Sequence, residues 1–443
     1  MSPVFTVVFV STAILAIVFL TSKLKLNAFV SLLLVSLLLA VVALPVAQVV
    51  PVLKEGFGAA MSSTGLIIIF GSVIAIALEH SGGALSIAGW LLGKTGIRRA
   101  PAALGLTGFI AGLPIFCDTG YIILSGLAKS FSAKSNINMP CIAAVLACAL
   151  YSVHCLVPMH PGALAAAGTL TVNLGGFILA GTVVALPATL AAYGWIKYRT
   201  RGRGYAPARA DAAESLPAGR LPSVGLALLP VVTPLLLITV ATLAQILGLT
   251  NQNAAVTALH FVGQPVIALF IGGLVSLLLL GKKLTVSGLN RLFATAIEKS
   301  GPILIVIAGG GVFGGVIRET GAGRLAGEWL GALGLGLAVP FLMTFLMKTA
   351  LGSSTVAIIT AASFVAPMLP QLGLASDAGR LLTVLAMGAG SIMISHANDP
   401  YFWVVTQFAE IHPDVALRVY STATLVMGLV SFACVWAASL LVL

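Results

Sequence analysis

Met159-His-Pro falls on Asn398-Asp-Pro, and His80-Ser-Gly falls on Glu319-Thr-Gly, when the chain is compared with itself at an offset of 239 residues. Glycine, proline and polar residues interrupt helices, so these matched points are expected to be places where helices stop. The chain is therefore predicted to hold two copies of one unit, each interrupted at equivalent positions.

The composition predicts an integral membrane protein. Of 443 residues, 59% are hydrophobic and only 8% are charged, which leaves too little polar surface to coat a soluble globule. Apolar stretches such as 27–50 and 223–247 reach the ~20 residues that a helix needs to cross the bilayer. The expected fold class is an all-α polytopic membrane protein.

The positive charge of the chain is interpreted as a topology signal. The formal net charge is +11, and the basic residues stand in short loops beside apolar segments, as in cytoplasmic loops of membrane proteins. Segment 197–222 is the richest and is predicted to be a cytoplasmic linker between a first half, 1–196, and a second half, 223–443. Because this segment lies between apolar spans, its charge is explained by topology, and we expect no nucleic-acid partner.

The basic loops also predict that the two halves are inverted. Lys23 and Lys25 precede the span 27–50, whereas Lys282 and Lys283 follow its counterpart at 263–280. If both pairs face the cytoplasm, the two spans run in opposite directions. The halves are thus expected to be inverted repeats.

Each half is expected to contain a re-entrant hairpin. Between Arg99 and Lys129, both predicted inside, only about 29 residues are available, whereas two crossings would need ~40. We therefore predict one hairpin over about 100–129 and its counterpart over about 340–370.

A broken helix is expected after each hairpin. In the segment 140–172, Pro158 and Pro161 remove amide donors and should stop the helix, and Ser395-His-Ala-Asn-Asp-Pro should do the same within 380–410. The prediction is about ten transmembrane helices plus two hairpins and two broken helices. Inverted, broken repeats of this kind are typical of secondary transporters.

Three polar residues at the predicted breaks are candidates for function. Asp118 and Asp399 are predicted to lie within the apolar part, where an ionised carboxylate is costly unless it is paired or hydrated, so each is either a functional group or a helix cap. His160, the repeat partner of Asp399, could donate a hydrogen bond to a substrate or could be a satisfied structural residue.

A hydroxyl cluster at the second hairpin predicts an anion site. Gly352-Ser353-Ser354-Thr355 precedes the apolar segment 356–369, so its amides and hydroxyls should converge at a helix N-terminus, where the dipole favours an anion. Lys348 lies about two turns earlier. The sequence leaves open whether it offsets substrate charge or extends its amine toward the membrane surface.

No cofactor or metal site is predicted. Cys141, Cys148 and Cys155 recur every seven residues, as packing residues on one helix face would, and no ligand cluster accompanies them. An intramembrane enzyme with His and Asp as acid and base, or a channel, would explain the inverted breaks less well than a transporter does.

Four motifs follow one another along the chain: Gly112-Leu-Pro-Ile-Phe-Cys-Asp-Thr-Gly, Leu156-Val-Pro-Met-His-Pro-Gly, Gly352-Ser-Ser-Thr-Val-Ala-Ile-Ile-Thr and Ser395-His-Ala-Asn-Asp-Pro-Tyr-Phe-Trp. In this order they resemble the gluconate permease family of the ion-transporter superfamily, over nearly the whole chain. That resemblance implies import of a small hydroxylated monocarboxylate, such as gluconate or a related sugar acid, by proton symport across the bacterial inner membrane through an elevator-type homodimer. Some members carry D-serine, and sodium coupling is the alternative.

The chain also departs from the family pattern. Met159 and Ala163 stand where the family commonly has proline, Asp118 stands where glutamate is frequent, and Pro400-Tyr401 replaces a small pair. A bulky Tyr401 is expected to narrow the pocket and to favour an acid shorter than gluconate.

The resulting hypothesis brings both hairpin tips and both breaks together near the middle of the membrane. Ser353, Ser354 and Thr355 would bind the substrate carboxylate. A second set of residues would recognise the hydroxyl groups of the substrate. A substrate without these hydroxyls would leave buried polar groups of the protein unpaired and would bind much more weakly. Asp118, or alternatively Asp399, would take up the coupling proton. The second set is Thr119, His160 and Asn398.

Overall fold

The computed structural model describes residues 12–443 except positions 14, 18, 21–22, 96–98, 114, 209–220, 248, 250–252, 284 and 398. Within this part of the chain every regular element is a helix. Short 3₁₀ or π turns occur at Leu277–Lys283, Ala366–Met368 and Leu417–Ser421. The α-helices are α1 (Ala28–Ala43), α2 (Val46–Ser81), α3 (Gly83–Thr95), α4 (Ala100–Gly112), α5 (Cys117–Ser135), α6 (Met139–Leu156), α7 (Pro161–Thr169), α8 (Leu174–Thr200), α9 (Val224–Ile246), α10 (Ala254–Val262), α11 (Pro265–Ser276), α12 (Val286–Glu319), α13 (Ala322–Ala332), α14 (Ala338–Leu351), α15 (Ser354–Val365), α16 (Asp377–Ile392), α17 (Pro400–Phe408), α18 (Pro413–Ala416) and α19 (Thr422–Val442).

Polar caps define where many of these apolar helices begin. A side-chain oxygen of the residue before the helix accepts a hydrogen bond from an amide of the first turn, which would otherwise lack a partner. The capping residues include Asn27, Asn138, Asn173, Ser223, Asn253, Thr285, Ser353, Ser376 and Asp399.

Six helices in the described part of the chain are long and apolar enough to cross a membrane, and the bent pair α10 and α11 would make seven. Four further apolar helical segments have only 10–17 residues: α1, α4, α14 and Ser354–Met368. The protein is therefore a multi-pass membrane protein, while the count of ten spans stays a prediction.

The two longest helices, α2 and α12, cross in antiparallel directions. Glu55 of α2 lies near Arg318 of α12, whereas Glu79 pairs with Lys299, so the α2 numbering rises as that of α12 falls. The backbones meet closely at Gly56, where an added Cβ would lie 2.5 Å from the carbonyl oxygen of a glycine of α12. Glycine is required there because any side chain would separate the helices.

Two helix–turn–helix units and two interrupted helices surround this pair. The turn 113–116 joins α4 to α5, and Gly352 with Ser353 joins α14 to α15. Breaks at 157–160 and 393–399 separate α6 from α7 and α16 from α17. Their apolar residues form one large core with α8 and α19, and α6 is buried along its whole length. A second cluster consists mainly of residues from α2, α9, α11 and α12.

The segment predicted as a linker from 197 begins as helix. Helix α8 continues to Thr200 and ends there, because Arg201 adopts an extended backbone conformation. The following residues dock on the large core, since Ala208 donates a backbone hydrogen bond to Ser132 Oγ and Met139 donates one to the Ala206 carbonyl. Residues 209–220 of the predicted linker lie outside the described part of the chain.

Candidate functional site

The hairpin turns and helix breaks enclose a cavity of about 520 Å³, which we call the central cavity. This volume falls within the ~300–1,000 Å³ range of small-molecule sites. One wall comes from α12 and the remainder from the segments around the two turns and two breaks. The lining residues are Phe116, Cys117, Asp118, Thr119, Tyr151, His154, Pro161, Lys299, Pro302, Ile303, Val306, Ser353, Ser354, Thr355, Val356, Ile359, Asp399, Pro400 and Tyr401.

The tip of the second hairpin presents hydroxyls and amides at the start of α15. Gly352 adopts φ +82°, a conformation that residues with a side chain rarely adopt, and this turns the chain into the new helix. Ser353 caps the helix by accepting a hydrogen bond from the Val356 amide at 3.4 Å. Ser354 and Thr355 follow in the first turn and also line the cavity. An anion would meet the positive end of the helix dipole here.

His154 connects this tip to the break between α6 and α7. Its Nε2 lies 3.3 Å from Thr355 Oγ1. Its Nδ1 is buried and has no hydrogen-bond partner among the described residues. His154 thus lies on the cavity wall and contacts the hydroxyl of Thr355.

Asp118 and Thr119 stand in the first turn of α5, on the side of the first hairpin. Both line the central cavity; Asp118 is exposed to it and Thr119 is half-buried. The N-terminal position of Asp118 favours a carboxylate through the helix dipole. Asp118 therefore meets the condition under which an ionised carboxylate is tolerated in an apolar segment, because it lines a cavity wide enough for water.

Asp399 is held differently, by a buried network of donors. Its Oδ1 accepts a hydrogen bond from the Tyr401 amide at 3.0 Å, which caps α17. Its Oδ2 accepts from Ser395 Oγ at 2.5 Å and from Lys348 Nζ at 2.6 Å. Lys348 also donates to the Gly352 carbonyl. The carboxylate is therefore both a cap and one half of a buried ion pair.

This network also answers the open question about Lys348. Its side chain is only 1% exposed, so the amine does not extend toward the membrane surface. It neutralises Asp399 and ties the second hairpin to the break before α17.

His160 is not brought to the central cavity. The side chain is buried, and Nε2 donates a hydrogen bond to the Gly112 carbonyl at 2.8 Å. The ring centroid lies 4.6 Å from that of His154. His160 thus fixes the turn of the first hairpin instead of lining the space where a substrate would lie. Asn398, expected to act beside it, is outside the described residues.

Lys299 is a cavity residue that the sequence did not single out. It stands on α12, and its Nζ lies 2.8 and 3.1 Å from the two carboxylate oxygens of Glu79 on α2. Its only local signal is the pair Glu298-Lys299 directly before an apolar run. It supplies a positive charge on the wall of α12.

Tyr401 lines the central cavity, but most of its side chain is buried in the core. It is 4% exposed, and its hydroxyl donates to the Ala147 carbonyl of α6 at 3.2 Å. The ring packs among those of Tyr121, Tyr151 and Tyr420. The phenol therefore points into the core, and the preference for an acid shorter than gluconate stays a prediction.

The comparisons with known proteins agree with one another over nearly the whole chain. The profile of the GntP family permease matches residues 5–441. The inner membrane permease YgbN of Escherichia coli K12 is 30% identical, with 96% of this chain and 97% of that protein covered. The high-affinity gluconate transporter of the same strain is 28% identical over 96% and 97%. The gluconate permease of Bacillus subtilis 168 is 29% identical over the same shares.

A solved structure has a similar fold. The YdaH transporter of Alcanivorax borkumensis, described as having an unusual topology, aligns with a TM-score of 0.64 over 98% of both chains. The sequence identity is 18%, so this similarity concerns the fold alone.

Proposed function

This chain belongs to the GntP family of permeases, and from that membership we propose that it imports a small hydroxylated monocarboxylate by proton symport across the bacterial inner membrane. As a family member it is a permease and not an enzyme. The relatives named gluconate permeases make gluconate or a related sugar acid the first candidate substrate. The observation that carries the proposal is the meeting of a hydroxyl-rich helix N-terminus and an exposed carboxylate, Asp118, in one cavity.

The substrate carboxylate would bind at the tip of the second hairpin. Ser353, Ser354 and Thr355, with the amides of the first turn of α15, offer several donors to an anion, and hydrogen bonds to a charged acceptor are stronger than neutral ones. The dipole of α15 adds to this attraction. Lys299 on the wall formed by α12 adds a cation to the cavity lining, although Glu79 balances its charge.

The hydroxyl groups of the substrate would face the first hairpin and the breaks. Thr119 lines the cavity with a hydroxyl that can both donate and accept, and Asn398 is proposed as a second contact. His160 is given a supporting role, because its hydrogen bond to Gly112 holds the turn that carries Thr119. Such contacts would select a polyhydroxylated acid over a simple one.

Asp118 is proposed as the carrier of the coupling proton. It is exposed to the cavity, so a proton can reach it through water, and neutralising it would remove one charge from the loaded site. Asp399 fits this role less well, since Lys348 already balances its charge.

Alternating access is proposed to follow an elevator mechanism between two inverted repeats, 1–196 and 223–443. Support comes from the occurrence of a hairpin turn and a helix break in each half, and from the antiparallel crossing of α2 and α12. The hairpins and broken helices share one hydrophobic cluster, and α2, α9 and α12 contribute mainly to another. A homodimer would hold the helices of the second cluster, α2, α9 and α12, fixed in the bilayer. Cross-linking in native membranes would test that assembly.

Transport by the purified protein in proteoliposomes tests the function. With a pH gradient imposed and sodium absent, labelled gluconate should accumulate, and a protonophore should abolish the accumulation. Accumulation that requires sodium would contradict proton coupling. A failure to transport any hydroxy acid from C3 to C6, with transport of D-serine instead, would contradict the substrate class.

A further inference from the structure

A second cavity of about 410 Å³ lies beside α12, further along the helix than the central cavity. It is lined by residues of α2, the end of α7, the end of α15 and the glycine-rich part of α12, among them Gly56, Ser63, Thr171, Gly310, Arg318 and Ser363. We propose that this outer vestibule, as we call it, is a second binding site for the transported acid at the opposite membrane face, with Arg318 as the partner of its carboxylate. The inference rests on the proposed function.

The two cavities lie end to end along the same helices. On α12, residues 299–306 line the central cavity and residues 310–318 line the outer vestibule. On α15 the lining passes from Ile359 to Ser363, and along α7 from Pro161 to Gly168. Arg318 follows Lys299 by 19 residues, roughly 28 Å of helix at 1.5 Å per residue. This separation is comparable to the ~30 Å thickness of the hydrocarbon core, and on that ground we assign the two cations to opposite faces.

One packed layer separates the cavities. Ser363 Oγ donates to the Gly310 carbonyl at 2.7 Å, and an added Cβ on Gly310 would lie 2.8 Å from Ile359 Cγ2. Ile359 faces the central cavity and Ser363 the outer vestibule, one helical turn apart. A displacement of α15 along α12 would therefore transfer the hairpin tip from one cavity toward the other.

Each cavity carries a cation of α12 that faces a glutamate of α2. Lys299 is held at hydrogen-bond distance by Glu79, 2.8 Å away. Arg318 is held more loosely, since its nitrogens lie 3.7 Å from Glu55 and 3.6 Å from Glu319, and its side chain is 62% exposed. A guanidinium in this setting can bind a carboxylate through two parallel hydrogen bonds.

The hydroxyls of the outer vestibule suit a hydroxylated acid. Ser63 Oγ and Thr169 Oγ1 each donate to a carbonyl of their own helix, at 3.0 and 2.9 Å, so their oxygens remain as acceptors for substrate hydroxyls. Thr171 at the rim accepts from Arg380 at 3.1 Å, which places a second guanidinium, itself paired with Asp377, beside the cavity. A small anion with several hydroxyl groups matches both features.

Initial transport rates in right-side-out and inside-out vesicles test this inference with gluconate as the probe. Arg318→Gln should raise the apparent KM at least fivefold at one face, and Lys299→Gln should do so at the other. Glu55→Gln removes a carboxylate that competes with the substrate for Arg318. It should therefore lower the apparent KM at the face where Arg318→Gln raises it. Arg291→Gln, which removes an exposed cation of α12 outside both cavities, should leave both KM values unchanged.

The inference is overturned if Arg318→Gln changes the KM at neither face, or if it acts at the same face as Lys299→Gln. It is also overturned if Glu55→Gln and Arg318→Gln change the KM in the same direction, as the loss of a purely structural ion pair would. In each of these outcomes the wild type still transports gluconate, so the proposed function stands. Wild-type vesicles that transport no hydroxy acid at either face would overturn the proposed function and this inference together.

Discussion

Lys348 and Asp399 form an ion pair in the interior of the protein, with Nζ 2.6 Å from Oδ2. The two residues are 1% and 3% exposed, so neither charge is solvated and each depends on the other. Lys348 belongs to α14 and Asp399 caps α17, so the pair joins the second hairpin to the second break. If the hairpins and breaks move together during transport, this pair is one reason that they do so.

Removing one member of that pair should destabilise the protein strongly. Lys348→Met or Asp399→Asn alone is expected to cost about 3–5 kcal/mol, because it breaks a buried ion pair from one side only. The double variant should recover much of the loss. Thermal unfolding in detergent measures the three variants, with Lys129→Gln as the control at the more exposed pair with Glu410. That control should change stability by at most about 1 kcal/mol.

A double variant whose loss of stability equals the sum of the two single losses would contradict this explanation. It would mean that the two charges act separately.

Asp118→Asn should uncouple transport from the pH gradient. The amide keeps the size of the carboxyl group but takes up no proton, so gradient-driven accumulation should be lost while exchange of internal for external acid continues. Both are measured as isotope fluxes in proteoliposomes. Asp414→Asn is the matched control, because Asp414 also lies in the first turn of a helix but outside the central cavity. Unaltered accumulation by Asp118→Asn would show that this residue does not carry the coupling proton.

The turns and breaks could be located from sequence because their signals are local. Gly352 has a positive φ, Pro161 opens α7, and Asp399 caps α17, so each acts on the backbone within a few residues of itself. The hydroxyl cluster Ser353 to Thr355 could be assigned to a helix start for the same reason. Its place on a cavity wall follows from that start together with the meeting of the two hairpins.

Contacts between distant segments could not be predicted in this way. Lys299 and Glu79 are 220 residues apart, and both helices that carry them are apolar over most of their circumference, so no periodicity fixes which face meets the other. His160 shows a second limit: the direction of a side chain at a helix break depends on local backbone rotation. That rotation turns the imidazole toward Gly112 and not toward the cavity.

Ser354→Ala should weaken substrate binding without unfolding the protein. A hydrogen bond to a charged acceptor contributes about 1.5–3 kcal/mol, so the apparent affinity for gluconate should fall about tenfold or more. Thr360→Val is the matched control, because Thr360 lies on the same helix, outside the cavity, and its hydroxyl is buried with no partner among the described residues. Equal affinities for the two variants, measured by uptake kinetics, would remove Ser354 from the binding site.

The close crossing of α2 and α12 predicts that an alanine has opposite effects on stability at two glycines of α12, Gly311 and Gly315. An added Cβ on Gly311 would collide with the Gly56 carbonyl and lie 2.5 Å from Ala60 Cβ, whereas one on Gly315 would lie 3.5 Å from the Gly56 Cα, an ordinary contact. Gly311→Ala should therefore destabilise the protein by about 1–3 kcal/mol through overpacking.

Gly315→Ala should be neutral or stabilising by up to about 1 kcal/mol, because alanine favours the helix and finds room. Both glycines belong to α12 and lie one turn apart, so the comparison cancels effects of the helix itself. Unfolding midpoints of the two variants in detergent decide the matter. If Gly311→Ala is as stable as Gly315→Ala, the two helices can separate without cost, and α2 and α12 would then be poorly suited to the fixed part of an elevator.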